Sequence, residues 1–167
     1  MYPLFIYLLA IILPENILSE TPFLLSMINY LEQYIPTLRG IELRAKYPDV
    51  FQTLYFIHLL SIFLLMIVMK KTGCIRSENI KYSNTVWPFL SCLLFITLFV
   101  WGFFSHLFSE GFGEGTTRFA KTAQSIRDSR LGFSLWTGFI VITLSLSILG
   151  FFLSLIGYVK HLLNIRR

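Results

Sequence analysis

In this chain of 167 residues, 55% are hydrophobic and only 14% charged, whereas about 25% of residues carry charge in an ordinary soluble domain. A compact soluble fold of this length cannot hide 17 Phe together with long runs of Leu and Ile, so the composition disfavours a soluble enzyme and points to lipid. The net charge of +5 is too scattered to form a nucleic-acid footprint.

Tyr2 to Leu13 is apolar, but Pro14, Glu15, Asn16 and Glu20 interrupt the run before it reaches a normal spanning length. The expectation is an uncleaved first span over residues 3–18 in a locally thinned bilayer. The segment lacks the basic start and the small-residue cleavage site of a signal peptide. Next, Thr21 fits an N-cap and Pro22 the first helical position, and Phe23, Leu24, Met27, Ile28, Leu31 and Ile35 recur at helical spacing with Ser26, Asn29 and Gln33 opposite. This predicts a helix over 22–35 that lies in the interface or leans on the bundle, so three or five membrane elements are the alternatives to four.

Residues 51–69 carry no formal charge and end at Lys70 and Lys71, giving about 28 Å of helix at about 1.5 Å per residue. Residues 86–108 are equally uncharged, with Asn84 and Thr85 as capping candidates and Pro88 in the first turn. Residues 131–159, between Arg130 and Lys160, form the longest run, predicting a tilted or projecting helix. The fold class expected is therefore all-α: an integral membrane bundle of four transmembrane helices with short interfacial helices, in one domain.

Residues 109–115, SEGFGEG, lack the GK[ST] ending of a phosphate loop and read as a hinge. Beyond them, 116–129 reads as a basic interfacial helix with Phe119, Ala123 and Ile126 on one face. Its bland role is adhesion to anionic lipid. Its sharper role, together with 38–49 on the same side, is recognition of a partner through Arg118, Lys121 and Arg127. Across the membrane, Lys70, Lys71, Arg76 and Lys81, with the tail KHLLNIRR, offer either a cytoplasmic docking surface or topology anchors. Each side holds seven Lys and Arg. The denser packing of these charges beside helix ends favours both termini in the cytoplasm.

Thr143, Ser147, Gly150, Ser154 and Gly157 form one stripe of small residues, a face on which another helix approaches closely. That helix belongs either to the same bundle or to another subunit, which keeps a homo-oligomer among the expectations. Gly102 and Ser105 make a shorter patch of the same kind. His58 and Ser61 share a face of the second span, and an intramembrane ionisable group is a functional candidate by default. The two readings are a hydrogen-bonded structural histidine and an ion or proton pathway. Three isolated histidines, including His106, and the unrelated Cys74 and Cys92 compose neither a metal site nor a disulfide framework. No nucleophile with a base, carboxylate pair or cofactor fingerprint emerges, so no catalytic residue and no cofactor is assigned.

A short first span, a mixed-charge loop before FQTLYFIHLLSIFLLMIVMKK, a third span, a longer basic loop and a final span ending in KHLLNIRR resemble, as a hydropathy layout, the immunity proteins against pore-forming colicins. The resemblance implies a bacterial inner-membrane protein that protects without catalysis, its helices recognising a toxin's membrane-inserting hairpin. The partners expected are the lipid bilayer and another protein: a toxin, a phage or conjugative component, or a cytoplasmic effector. A membrane anchoring or sensing subunit of a phage-defence complex, and a small oligomeric channel or transporter, are the alternatives.

Overall fold

The computed structural model describes residues 2–72, 86–101 and 118–165. These form helices α1 (Tyr2–Ile12), α2 (Ile17–Glu20), α3 (Pro22–Glu32), α4 (Pro36–Arg44), α5 (Pro48–Lys71), α6 (Trp87–Trp101), α7 (Arg118–Asp128) and α8 (Arg130–Ile165). Proline punctuates this order. Pro22, Pro36 and Pro48 open α3, α4 and α5, where a missing amide hydrogen removes no helical bond. Pro14 has the opposite effect, because it disfavours helical backbone at Leu13 and cannot donate to the preceding turn. The first helix therefore stops at Ile12, well short of the expected end at residue 18.

The helix expected over 22–35 ends slightly early: α3 stops at Glu32, and Ile35, held extended at φ −121° and ψ 92° before Pro36, leads into α4. Thr21 occupies the N-cap position of α3, yet its hydroxyl donates backwards to the Ile17 carbonyl at 2.6 Å and caps nothing.

Among the described residues, two helices are long and apolar enough to cross a membrane. The 24 residues of α5 and the 36 of α8 measure about 36 and 54 Å at about 1.5 Å per residue. The 11 residues of α1 and the 15 of α6 are apolar but shorter. Residues 102–108 of the expected third span, with Gly102, Ser105 and His106, lie outside the described residues, as do Asn84, Thr85 and the 109–115 hinge.

Cross-helix contacts set the directions. Phe51 stacks on Phe133 at 4.2 Å, His58 meets Thr137, and the Ser145 hydroxyl, which donates to Val141 within its own helix, lies 3.4 Å from the Ile62 carbonyl. Residue numbers rise together along both helices, so α5 and α8 run parallel. Helix α1 is antiparallel to them, since Tyr2 lies level with His58 while Leu13 reaches Arg130. Helix α6 is also antiparallel to α8, with Phe89 against Phe151 and Tyr158, and Cys92 beside Gly150.

Helix α8 is thus the hub, packed by α1, α5, α6 and α7. The core lies where α1, α4 and the first half of α5 meet the first half of α8, around Ile6, Leu38, Phe51, Tyr55, Phe133 and Val141. Burial of such side chains contributes about 1.5–3 kcal/mol each relative to exposure in water. The second half of α5 presents Phe63, Leu64 and Ile67 outward, and no residue of α6 is fully buried. A contiguous apolar belt of this kind is what a bilayer covers.

Candidate functional site

His58 is fully buried at the junction of α1, α5 and α8. Its Nδ1 lies 2.6 Å from the Tyr2 hydroxyl and its Nε2 lies 2.7 Å from Thr137 Oγ1. Thr137 Oγ1 is also 2.7 Å from the Phe133 carbonyl, the usual acceptor for a threonine within a helix. A hydroxyl has one hydrogen to give. One assignment uses all three contacts: Tyr2 donates to Nδ1, Nε2–H donates to Thr137, and Thr137 donates to Phe133. The tautomer follows from this network.

That chain ends at a backbone carbonyl, which accepts a hydrogen bond but has no proton to pass on. In this geometry the histidine acts as a clasp that satisfies its own ring while tying three helices together. Ser61, on the same stretch of α5, donates to the Ile57 carbonyl at 2.7 Å. The sequence singles out His58 and Ser61; Tyr2 and Thr137 complete the arrangement and were not foreseen.

Of the small-residue stripe, Gly150 faces a helix of the same chain. A Cβ placed on Gly150 would lie 3.2 Å from Cys92 Sγ of α6, so the absent side chain sets how closely the two helices approach. Gly157 is buried, whereas Thr143, Ser147 and Ser154 are half-buried. The Thr143 hydroxyl donates within its own helix, to Phe139 at 2.9 Å, and not across to a partner.

The basic candidates separate. Arg118 and Lys121 are exposed on α7, but Arg127 is only 8% exposed and lies on the face that buries Ala120 and Ala123. It therefore does not share a free surface with the other two, because the helix presents positions 120, 123 and 127 to the bundle. Its carbonyl accepts from the Lys46 amide at 3.4 Å. Lys70 and Lys71 are exposed at the end of α5, while Arg76 and Lys81 lie outside the described residues.

Arg130 has a larger part than that of a flank to the last span. Its Nη1 donates to the Leu13 carbonyl and its Nη2 to Glu15, both at 2.9 Å, while the guanidinium lies 4.6 Å from the centre of the Tyr47 ring. One side chain thereby satisfies a carbonyl left over at the end of α1 and joins the starts of α5 and α8. Nearby, Glu32, Glu42 and Asp49 line a pocket of about 380 Å³ with Gln52. Gln52 Nε2 donates to Glu32 at 2.7 Å and to the Leu38 carbonyl at 3.1 Å. Burial, and then the charge of Glu42, push the Glu32 carboxyl above its ordinary range against the opposing effects of Gln52 and Arg39.

Among the described residues no group of His, Cys, Asp and Glu is arranged to hold a metal ion. Compared with known protein families, curated proteins and solved structures, the chain has no match.

Proposed function

We propose that this chain is a multi-pass bacterial inner-membrane protein of the protective type, which acts without catalysis through helix and loop contacts with another protein. The observation that carries the reading is the arrangement of the two ends around the apolar belt. Helices α2, α3, α4 and α7 gather where α5 and α8 begin, forming a folded cap clasped by Arg130 and the Lys46–Arg127 backbone bond. All the acidic side chains of the described residues, from Glu15 to Asp128, belong to this end, whereas Lys70, Lys71 and Lys160 mark the other. A structured cap of mixed charge supplies what a small membrane protein needs for specific recognition, with Arg118 and Lys121 among its exposed basic residues.

The alternating directions of α1, α5, α6 and α8 support four membrane elements, of which α1 reaches from the cap only to the middle of α5; both ends of the chain then point away from the cap, towards the cytoplasm in this reading. The protective role itself rests on the order of apolar and charged segments shared with the immunity proteins against pore-forming colicins.

Purification of the tagged chain from its host in nanodiscs, followed by mass determination of the intact complex, tests the proposal. A single copy, alone or bound to one membrane-inserting protein, is the expected result. A homo-oligomer carrying a soluble effector would replace the proposal with an anchoring subunit. Ion flux in liposomes that vanishes with His58→Leu, while the fold survives, would replace it with a channel.

A further inference from the structure

Between α3 and the outward face of α5 runs a groove of about 560 Å³, within the range of about 300–1,000 Å³ typical of sites that take small molecules. Met27, Tyr30 and Leu31 of α3 form one wall, and Phe56, Leu59 and Phe63 of α5 form the other. We propose that this groove seats an acyl chain of a bilayer phospholipid, an inference that rests on the membrane reading above.

Three features select this occupant. First, the groove is continuous with the apolar belt: Leu60 and Phe63 line it and are 60% and 72% exposed, and Leu64 and Ile67 extend the same surface beyond it. A molecule enters sideways from the hydrocarbon without crossing a polar layer.

Second, the groove has the polarity of an amphiphile. The hydroxyl-bearing side chains of its lining, Ser26 and Tyr30, are both on α3, and α3 is anchored by the Glu32–Gln52 hydrogen bond. Gln52 lies four residues into α5, about 6 Å from its start at about 1.5 Å per residue, which is interfacial depth. The α5 wall continues from Phe56 to Phe63, about 10 Å further along the helix, and is entirely apolar. A tail hanging from a headgroup at the interface has this orientation, with its polar end at α3 and its methylenes towards Phe63.

Third, no charged side chain lines the groove. This disfavours a peptide or a soluble anion as occupant and suits a hydrocarbon chain, which needs only dispersion contacts. The paired rings of Tyr30 and Tyr34, 5.4 Å apart and both exposed, add the amphipathic aromatics typical of the headgroup level.

The test places the full chain in nanodiscs containing phosphatidylethanolamine with a diazirine on one acyl chain, then maps labelled residues by mass spectrometry after illumination. Groove residues Met27, Phe56 and Leu59 should be labelled several-fold more than Leu64 and Ile67, which face lipid outside the groove. Filling the groove with Met27→Trp and Leu60→Trp, both at exposed positions that leave the core intact, should reduce groove labelling to the level of the belt. Equal labelling of groove and belt in the unaltered chain would overturn the proposal without needing any variant. Crosslinks from the groove to a second copy or to another protein would overturn it in favour of that occupant. Belt labelling that persists while groove labelling fails leaves the membrane reading intact; absence of label from Leu64 and Ile67 as well would remove that reading and the groove proposal together.

Discussion

Tyr2 and His58, 56 positions apart in sequence, are joined by a 2.6 Å hydrogen bond that fixes the start of α1 against the middle of α5. Thr137 holds the other side of the ring. Tyr2→Phe should leave Nδ1 without its donor, and Thr137→Val should leave Nε2–H without its acceptor. In water such losses cost about 1–3 kcal/mol. Within a membrane bundle the coupling of such a pair averages about 0.6 kcal/mol, with an upper end near about 1.7, because the unfolded reference state finds substitute partners. A double-mutant cycle on His58 and Thr137, read by unfolding in bicelles, should give a coupling of that size; a coupling of zero would show that the clasp adds no stability.

Arg130 and Glu15 are expected to respond unequally to substitution. Glu15 is 72% exposed, and an ion pair so placed contributes about 0–1 kcal/mol, so Glu15→Gln should change stability little. Arg130→Met removes in addition the donor to the Leu13 carbonyl and the contact with the Tyr47 ring. A hydrogen bond from a charged donor contributes about 1.5–3 kcal/mol, and the larger loss should persist at high salt, where the exposed pair is screened. Thermal unfolding of both variants at low and high ionic strength decides the matter, and equal losses would reduce Arg130 to a surface charge.

The long helices were legible because charge is expensive in hydrocarbon: the uncharged runs bounded by Lys70 and by Arg130 became α5 and α8. Pro14 was equally visible, but periodicity carried the expected first helix through it to residue 18, and the local geometry of proline prevailed in the fold. His58 was conspicuous as an ionisable residue in an apolar run. Its partners were hidden because hydropathy records which residues avoid water and not the register in which helices meet, so nothing in the sequence aligned Tyr2, His58 and Thr137. Arg127 shows a related limit. Ala123 and Ile126 pack inward from α7 as the pattern places them, but Ala120 and Arg127 are buried beside them.

Gly150 should control access to Cys92. A Cβ at 3.2 Å from the Cys92 sulfur requires a shift of a few tenths of an ångström, which a thiol accommodates by rotation, so Gly150→Ala should be nearly silent. Gly150→Leu cannot be accommodated in this way and should push α6 off α8. In a Cys74→Ser background, the rate of Cys92 alkylation by a membrane-permeant maleimide should rise several-fold for Leu and stay near that of the parent for Ala. Equal rates in all three proteins would separate Gly150 from the seating of α6. The companion change Gly157→Leu should also loosen packing, because Gly157 is buried on the same stripe.

Glu32 gives the cap a pH dependence whose sign follows from its surroundings. Burial and Glu42 raise its folded-state pKa above the unfolded value, which is about 4.3 for a free glutamate. The folded chain therefore binds this proton more tightly than the unfolded chain. The resulting stabilisation is fully present below the unfolded pKa and is lost as pH rises through the folded one. At neutral pH the ionised carboxylate is a small liability, limited by its partial exposure to solvent. Glu32→Gln keeps an oxygen acceptor available to Gln52 while removing the repulsion with Glu42. Its melting temperature should exceed that of the parent slightly at about pH 7, and the two curves should converge towards about pH 4. A variant less stable than the parent at neutral pH, with the gap closing on acidification, would mean that attraction from Arg39 and the charged Gln52 hydrogen bond outweigh burial, and that the carboxylate supports the cap in its ionised form.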